Sequence, residues 1–188
     1  MRPYHRKLRP EPLRILVQHA DANRSGPGPT DGKCPRLTHR GRAQAEELAL
    51  RLSGLPIARV LASPARPCLQ TVEPLATDVG VPVEPCALLA AAADLDLVAR
   101  FLTATETENA VLCTNRELIL GVFSQLALSG TRLIDGLALM DMAGAWALHG
   151  GGGLPIRVDC LRPLWMAETT TLQSRPRAFS SPGGGQQP

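Results

Sequence analysis

Apolar and polar positions along the chain alternate between short buried runs and helical periods. Leu13 and Ile15 to Val17 make a run of strand length, and the chain turns polar at once after it, at Gln18-His19-Ala20-Asp21. Thr38 to Ser53 places Ala45, Leu48 and Leu52 on one helical face, with Thr38 as N-cap and Gly54 as stop. Ile57 to Ala62 predicts a second strand. Ala65 to Val79 predicts a second helix that contains Pro67 and Pro74 and closes at Gly80. Val81 to Glu84 is a short strand candidate, and a helix capped near Asp94 runs through Val98, Phe101 and Leu102. Ala110 to Thr114 predicts another buried strand, followed by a helix over Arg116 to Leu128 with Ile119, Val122, Phe123 and Leu126 inward. Ala143 to His149 and Ile156 to Leu161 flank four glycines and read as a hairpin.

This order predicts an α/β domain of three layers, α/β/α, with a mostly parallel central sheet and a C-terminal antiparallel hairpin. The folded domain spans residues 13–168. Residues 1–12 hold three prolines and several bases and read as a flexible basic lead-in, while residues 173–188 have no hydrophobic period and read as a disordered tail. The stretch from Asn23 to Pro35 is rich in Gly, Pro and Ser and carries Arg24 and Lys33, as a rim or lid would. Three strand endings have one form: Gln18-His19, Ala62-Ser63 and Thr114-Asn115. In a parallel sheet they converge on one crevice, at the edge where open α/β folds collect ligands.

Composition narrows the function classes. Aromatics are only 3% of the residues, so the core is built from Leu, Val and Ala. The net charge of +3 comes largely from the two ends, without interleaved aromatics, which argues against a nucleic-acid surface. No apolar run approaches the ~20 residues needed to span a bilayer. The cysteines (Cys34, Cys68, Cys86, Cys113, Cys160) lie far apart with no metal-ligand spacing. Their odd number and the lack of a secretory signal favour the cytoplasm, and neither a metal nor a cofactor is expected. Cys113 reads as core, His39 and His149 as solvated, and Met140 and Met142 as packing residues.

The motifs then line up with a known family. The His19-Ala20 strand end is followed by Leu37-Thr38-x-x-Gly41-x-x-Gln44-Ala45, then by Ser63-Pro64 with Cys68-x-Gln70-Thr71. Val111-Leu112 before Asn115 and Gly144-Ala145-Trp146-x-Leu148 complete the set. This resembles the histidine phosphatase superfamily, also called phosphoglycerate-mutase-like. It is most similar to the short bacterial branch that includes phosphohistidine phosphatases. The resemblance implies a histidine on the first strand end that accepts a phosphoryl group, with two arginines and a second histidine around the phosphate oxygens. His19 matches the first histidine. At the other positions this chain carries Gln18, Pro67 and Asn115, so three cationic or proton-bearing groups are replaced by neutral ones.

The candidate catalytic residue is therefore His19. Gln18, Ser63 and Asn115 are expected to line its pocket, with Arg24, Arg66 and Arg116 as possible substitute charges. Glu84 and Asp94 are candidates for the family's acid, and both read more simply as structural. Three functions follow. The first is a pseudophosphatase that binds a small anionic or polar ligand, or a partner protein, as a regulatory module. The second is an enzyme centred on His19, either a weak phosphomonoester or phosphohistidine hydrolase or a repurposed activity with His19 as general acid or base. The third is an interaction protein with a vestigial crevice.

Overall fold

In the computed structural model, residues 12–23, 35–134, 142–150 and 157–161 are described. The basic lead-in, the loop carrying Arg24 and Lys33, Cys34, Met140 and the C-terminal tail lie outside them. Among the described residues the strands are β1 (Arg14–Gln18), β2 (Arg59–Ala62), β3 (Val83–Pro85), β4 (Ala110–Thr114), β5 (Arg132–Ile134), β6 (Ala145–His149) and β7 (Arg157–Leu161). They form one sheet in the order β3-β2-β4-β1-β6-β7-β5. β1 pairs in parallel with β4 from Arg14 opposite Ala110 to Gln18 opposite Thr114, and β4 and β3 flank β2 in parallel. β6 is antiparallel to both β1 and β7, and β5 is parallel to β7. Only β6 therefore runs against the rest: the sheet is mostly parallel and carries a late antiparallel hairpin.

Alternation along the strands sorts the core into two layers. Ile15 and Val17 of β1, Val60 and Ala62 of β2, and Val111 and Cys113 of β4 face α1 (His39–Leu52) and α2 (Arg66–Val79), meeting Leu48, Leu52, Val72 and Leu75. Leu16, Leu61, Leu112 and Trp146 face the other way. They meet α3 (Leu95–Phe101) and α4 (Arg116–Leu128) through Val98, Ile119, Val122 and Phe123. Phe123 and Trp146 pack edge to face with centroids 5.5 Å apart, the favoured aromatic geometry. No described helix is long and apolar enough to cross a membrane.

The expected elements are present with local differences. β4 and α4 coincide with their predicted ranges. β2 starts at Arg59 rather than Ile57, and β3 at Val83 rather than Val81. Pro67 is tolerated in the first turn of α2, where its missing N–H has no intrahelical partner to lose. β5 was not predicted. Its three residues are too few for a period to show, and its pairing with β7 defines it.

Candidate functional site

β2, β4 and β1 are neighbours and parallel, so the residues that follow them lie side by side on one edge of the sheet. The backbone continues the pairing past the strand ends. His19 N–H donates to Thr114 O at 2.9 Å and Ser63 N–H to Cys113 O at 2.9 Å. On the far side of β1, Gln18 N–H donates to Gly144 O at 2.9 Å. Ser63, Asn115 and His19 thus stand in that order along the edge, with the N-termini of α2 and α4 opening just beyond it.

The His19 ring is half-buried, and its Nδ1 lies 2.8 Å from the Ala20 carbonyl oxygen. A carbonyl only accepts, so Nδ1 carries a proton, and in the neutral ring Nε2 keeps its lone pair. A ring in this tautomer can attack an electrophile or take a proton through Nε2.

The backbone after His19 is tied down by the motif residues. Thr71 Oγ1 accepts from Ala20 N–H at 2.9 Å and donates to the Pro67 carbonyl at 2.7 Å. Gln44 Oε1 accepts from Asp21 N–H at 2.9 Å, and the Thr38 hydroxyl donates to Asp21 Oδ2 at 2.6 Å while accepting from Gly41 N–H at 3.0 Å. Gln70 Oε1 accepts from Leu37 N–H at 3.0 Å. At Gly41 a Cβ would lie 2.0 Å from the Asp21 carbonyl oxygen, so only glycine lets α1 come this close. Thr38, Gly41, Gln44 and Thr71 of these runs are therefore positioning residues: they hold residues 20–21, and with them the His19 ring, while Gln70 holds Leu37. Asp21, which receives three of these contacts, was missed from sequence. Its partners are 17 or more positions away.

The positions where the resemblance implies cations are filled differently. Gln18 is fully buried; its Nε2 donates weakly to Met142 Sδ at 3.3 Å, and its Oε1 has no partner among the described residues. Pro67 is buried with its carbonyl taken by Thr71. Asn115 is the N-cap of α4, its Oδ1 accepting from Leu118 N–H at 2.9 Å. Ser63 is buried, and its Oγ accepts from Ala65 N–H at 3.3 Å. Arg66 and Arg116 are exposed first residues of α2 and α4. Among the described residues, the hydrogen bonds of His19 run to backbone groups, and none brings a cation to the ring.

Other candidates lie elsewhere. Glu84 bonds Arg59 through both carboxylate oxygens, at 3.0 and 2.5 Å. This bond to the guanidinium holds its carboxyl below the usual range. Asp94 caps α3 by accepting from Asp96 and Leu97 N–H at 2.9 and 3.1 Å. Both are structural, as expected. His39 is exposed. His149, expected to be solvated, is instead half-buried, with Nε2 3.1 Å from Asp159 Oδ2 on β7; the β6–β7 register brings the two together. Met142, expected in packing, is 41% exposed and meets Gln18. No group of three or more His, Cys, Asp or Glu among the described residues could hold a metal ion.

Comparison with known proteins agrees with this fold. The sequence profile of the histidine phosphatase superfamily (branch 1) matches residues 15–91. The protein histidine phosphatase SixA complexed with tungstate is 21% identical with a TM-score of 0.59, covering 80% of this chain and 94% of its own. A SixA protein from Agrobacterium tumefaciens is 20% identical with a TM-score of 0.59, covering 81% of this chain and 99% of its own. A mycobacterial glucosyl-3-phosphoglycerate phosphatase is 16% identical with a TM-score of 0.54, covering 81% of this chain and 98% of its own. No functionally curated protein matches the chain by sequence. The strand-end histidine, the positioning motifs around it, the profile matched over residues 15–91 and the shared fold lead to one conclusion: the chain has the fold of the histidine phosphatases and resembles their superfamily (branch 1) over residues 15–91.

Proposed function

We propose that this protein is a pseudophosphatase, a binding or regulatory module that keeps the frame of a phosphoryl-transfer site without its charge. One observation carries the reading. Gln18, at the position before the strand-end histidine, is fully buried with its amide N–H on the Met142 sulfur. A neutral amide in that place cannot offset a phosphate dianion. Catalysis on phosphoryl groups is mostly positioning and electrostatic stabilisation. Losing one preorganised oxyanion donor costs about 2.7–4 kcal/mol of barrier in a measured case, so three such losses leave turnover many decades down. The ligand is then a small polar or weakly anionic molecule, or a partner protein, in a reducing compartment such as the cytoplasm.

A second reading has its own support. The Nδ1–H bond to the Ala20 carbonyl selects the tautomer whose neutral ring presents the Nε2 lone pair, the form a phosphoryl acceptor needs. In that reading the protein is a slow phosphomonoester or phosphohistidine hydrolase, with Arg66 or Arg116 at a helix N-terminus supplying the positive charge.

Hydrolysis of an aryl phosphate and of a phosphoramidate by the purified protein and by His19→Ala separates the two. The expected result is no turnover that depends on His19. Loss in His19→Ala of a turnover of about 1 per second or more, the ordinary enzyme range, would overturn the pseudophosphatase reading in favour of the second.

A further inference from the structure

Between α1 and α2 lies a cavity of about 310 Å³ that His19 does not line. Arg42, Ala45 and Glu46 on α1, and Gln70, Glu73, Pro74 and Thr77 on α2, recur at helical spacing, so each helix turns one face to the gap. The floor is apolar: Leu37 and Ala45 are buried, and Pro74 closes it from α2. The rim is polar, with Arg42 and Glu46 exposed on one wall and Glu73 and Thr77 on the other. A cavity at this lower end of the range of ligand sites suits a single long side chain.

The lining offers more acceptors than donors. Among the described residues neither Glu46 nor Glu73 has an ion pair, although Arg42 stands one turn before Glu46. The Thr77 hydroxyl gives its hydrogen to the Glu73 carbonyl at 2.9 Å, so toward the cavity it can only accept. Pro74 has no N–H, and the Gln70 carbonyl one turn earlier therefore lacks its α-helical donor. Gln70 Oε1 is occupied by Leu37 N–H at 3.0 Å, which leaves the Gln70 amide hydrogens and Arg42 as the donors. Two carboxylates face one guanidinium, so the charge balance of the cavity is negative.

We propose that this cavity is the docking site for a lysine side chain of a partner protein. The aliphatic stem lies along Leu37, Ala45 and Pro74, as long cationic side chains cover apolar surface while keeping their charge at its edge. The ammonium sits at the rim between the carboxylates. Glu46 and Glu73 come from opposite walls, and a compact ammonium with three donors can meet both. A planar guanidinium is matched instead to the two oxygens of one carboxylate. The rim residues are exposed, so the main chain that carries the lysine can stay outside the cavity.

The floor of the cavity is also part of the mount of His19. Leu37 and Ala45 pack with Ala20 in one apolar cluster. Gln70 holds the Leu37 amide, and its neighbour Thr71 holds the Ala20 amide. A docked side chain therefore bears on the layer that positions His19, as a regulatory module requires. The docking site itself stands whether or not His19 turns over a phosphoryl group.

The test follows backbone amide NMR shifts of the isotope-labelled full chain during titration with an end-blocked Ala-Ala-Lys-Ala-Ala peptide at millimolar concentration. Shifts are expected at Leu37, Ala45, Gln70 and Thr77, and none when norleucine replaces the lysine. Glu46→Gln and Glu73→Gln each weaken binding about three-fold, and Arg42→Ala, which removes a like charge, strengthens it by a similar factor. All three positions are exposed, and the same spectra show that the variants are folded. Shifts that spare the four amides, equal binding of the norleucine peptide, or glutamate variants that bind as the parent does would overturn the proposal. So would cadaverine binding as tightly as the peptide, which would assign the cavity to a free amine.

Discussion

Thr71 Oγ1 accepts the Ala20 amide at 2.9 Å, so a side chain of the second helix fixes the residue that follows His19. The hydroxyl is wholly buried and also serves the Pro67 carbonyl. Thr71→Val keeps the shape and removes both bonds, leaving a buried N–H without its acceptor. The expected loss is about 1–3 kcal/mol of unfolding free energy, read from urea titrations, with Thr71→Ser retaining most of the stability. A valine variant as stable as the parent would show that the Ala20 backbone is not held by this bond.

Gln18 predicts the opposite sign. Among the described residues its buried Oε1 meets no donor, and its Nε2 meets a thioether. Gln18→Leu removes an unpaired polar group from an apolar setting, so the melting temperature is expected to stay level or rise, by the equivalent of up to about 1 kcal/mol. A clear drop would mean that the amide has a stabilising partner.

Restoring charge tests the site from the other side. Gln18→Arg, Pro67→Arg and Asn115→His together place two guanidinium groups at positions that are now buried and neutral. Without an anion the triple variant is expected to melt lower than the parent, because unpaired buried charge is costly. Millimolar phosphate or vanadate should raise its melting temperature while leaving the parent unmoved. Equal responses from the two proteins would place the anion site elsewhere.

The Arg59–Glu84 pair predicts an acid-limb signature. The guanidinium bond lowers the folded-state pKa of Glu84 below its unfolded value. Its contribution is therefore present above the ordinary glutamate pKa of about 4.3, and it is lost as pH falls through the lower folded value. Both side chains are more than one-third exposed, at 35% and 38%, which keeps the effect below about 1 kcal/mol. Denaturation of Glu84→Gln and the parent from pH 7 down to pH 3 should show a gap that closes toward the acid end. A gap that stays constant with pH would rule out the ionised carboxylate as its source.

The sequence was most legible where a period or a cap acts locally. Ala110 to Thr114 is buried without interruption, and Asn115 and Leu118 close a cap within a single turn, so β4 and α4 read at full length. β5 did not read, because a three-residue edge strand is made by its neighbour. The role of His149 needed the cross-strand register that delivers Asp159. The motif residues could be recognised as a set, but what they do depends on contacts such as Gln44 to Asp21 and Thr71 to Ala20, which span 23 and 51 positions. Sequence spacing alone cannot show that a glutamine and a threonine from separate helices grip the same two residues.

Those grips are made by amide, hydroxyl and glycine acting largely on main chain, and they share no atom with the side chains that would touch a ligand. The mount and the fitting are thus mechanically separate. Side chains at the mouth can therefore be exchanged with the Thr71–Ala20 and Gln44–Asp21 bonds left in place, so a chain of this design can change its chemistry while keeping the path of its backbone there.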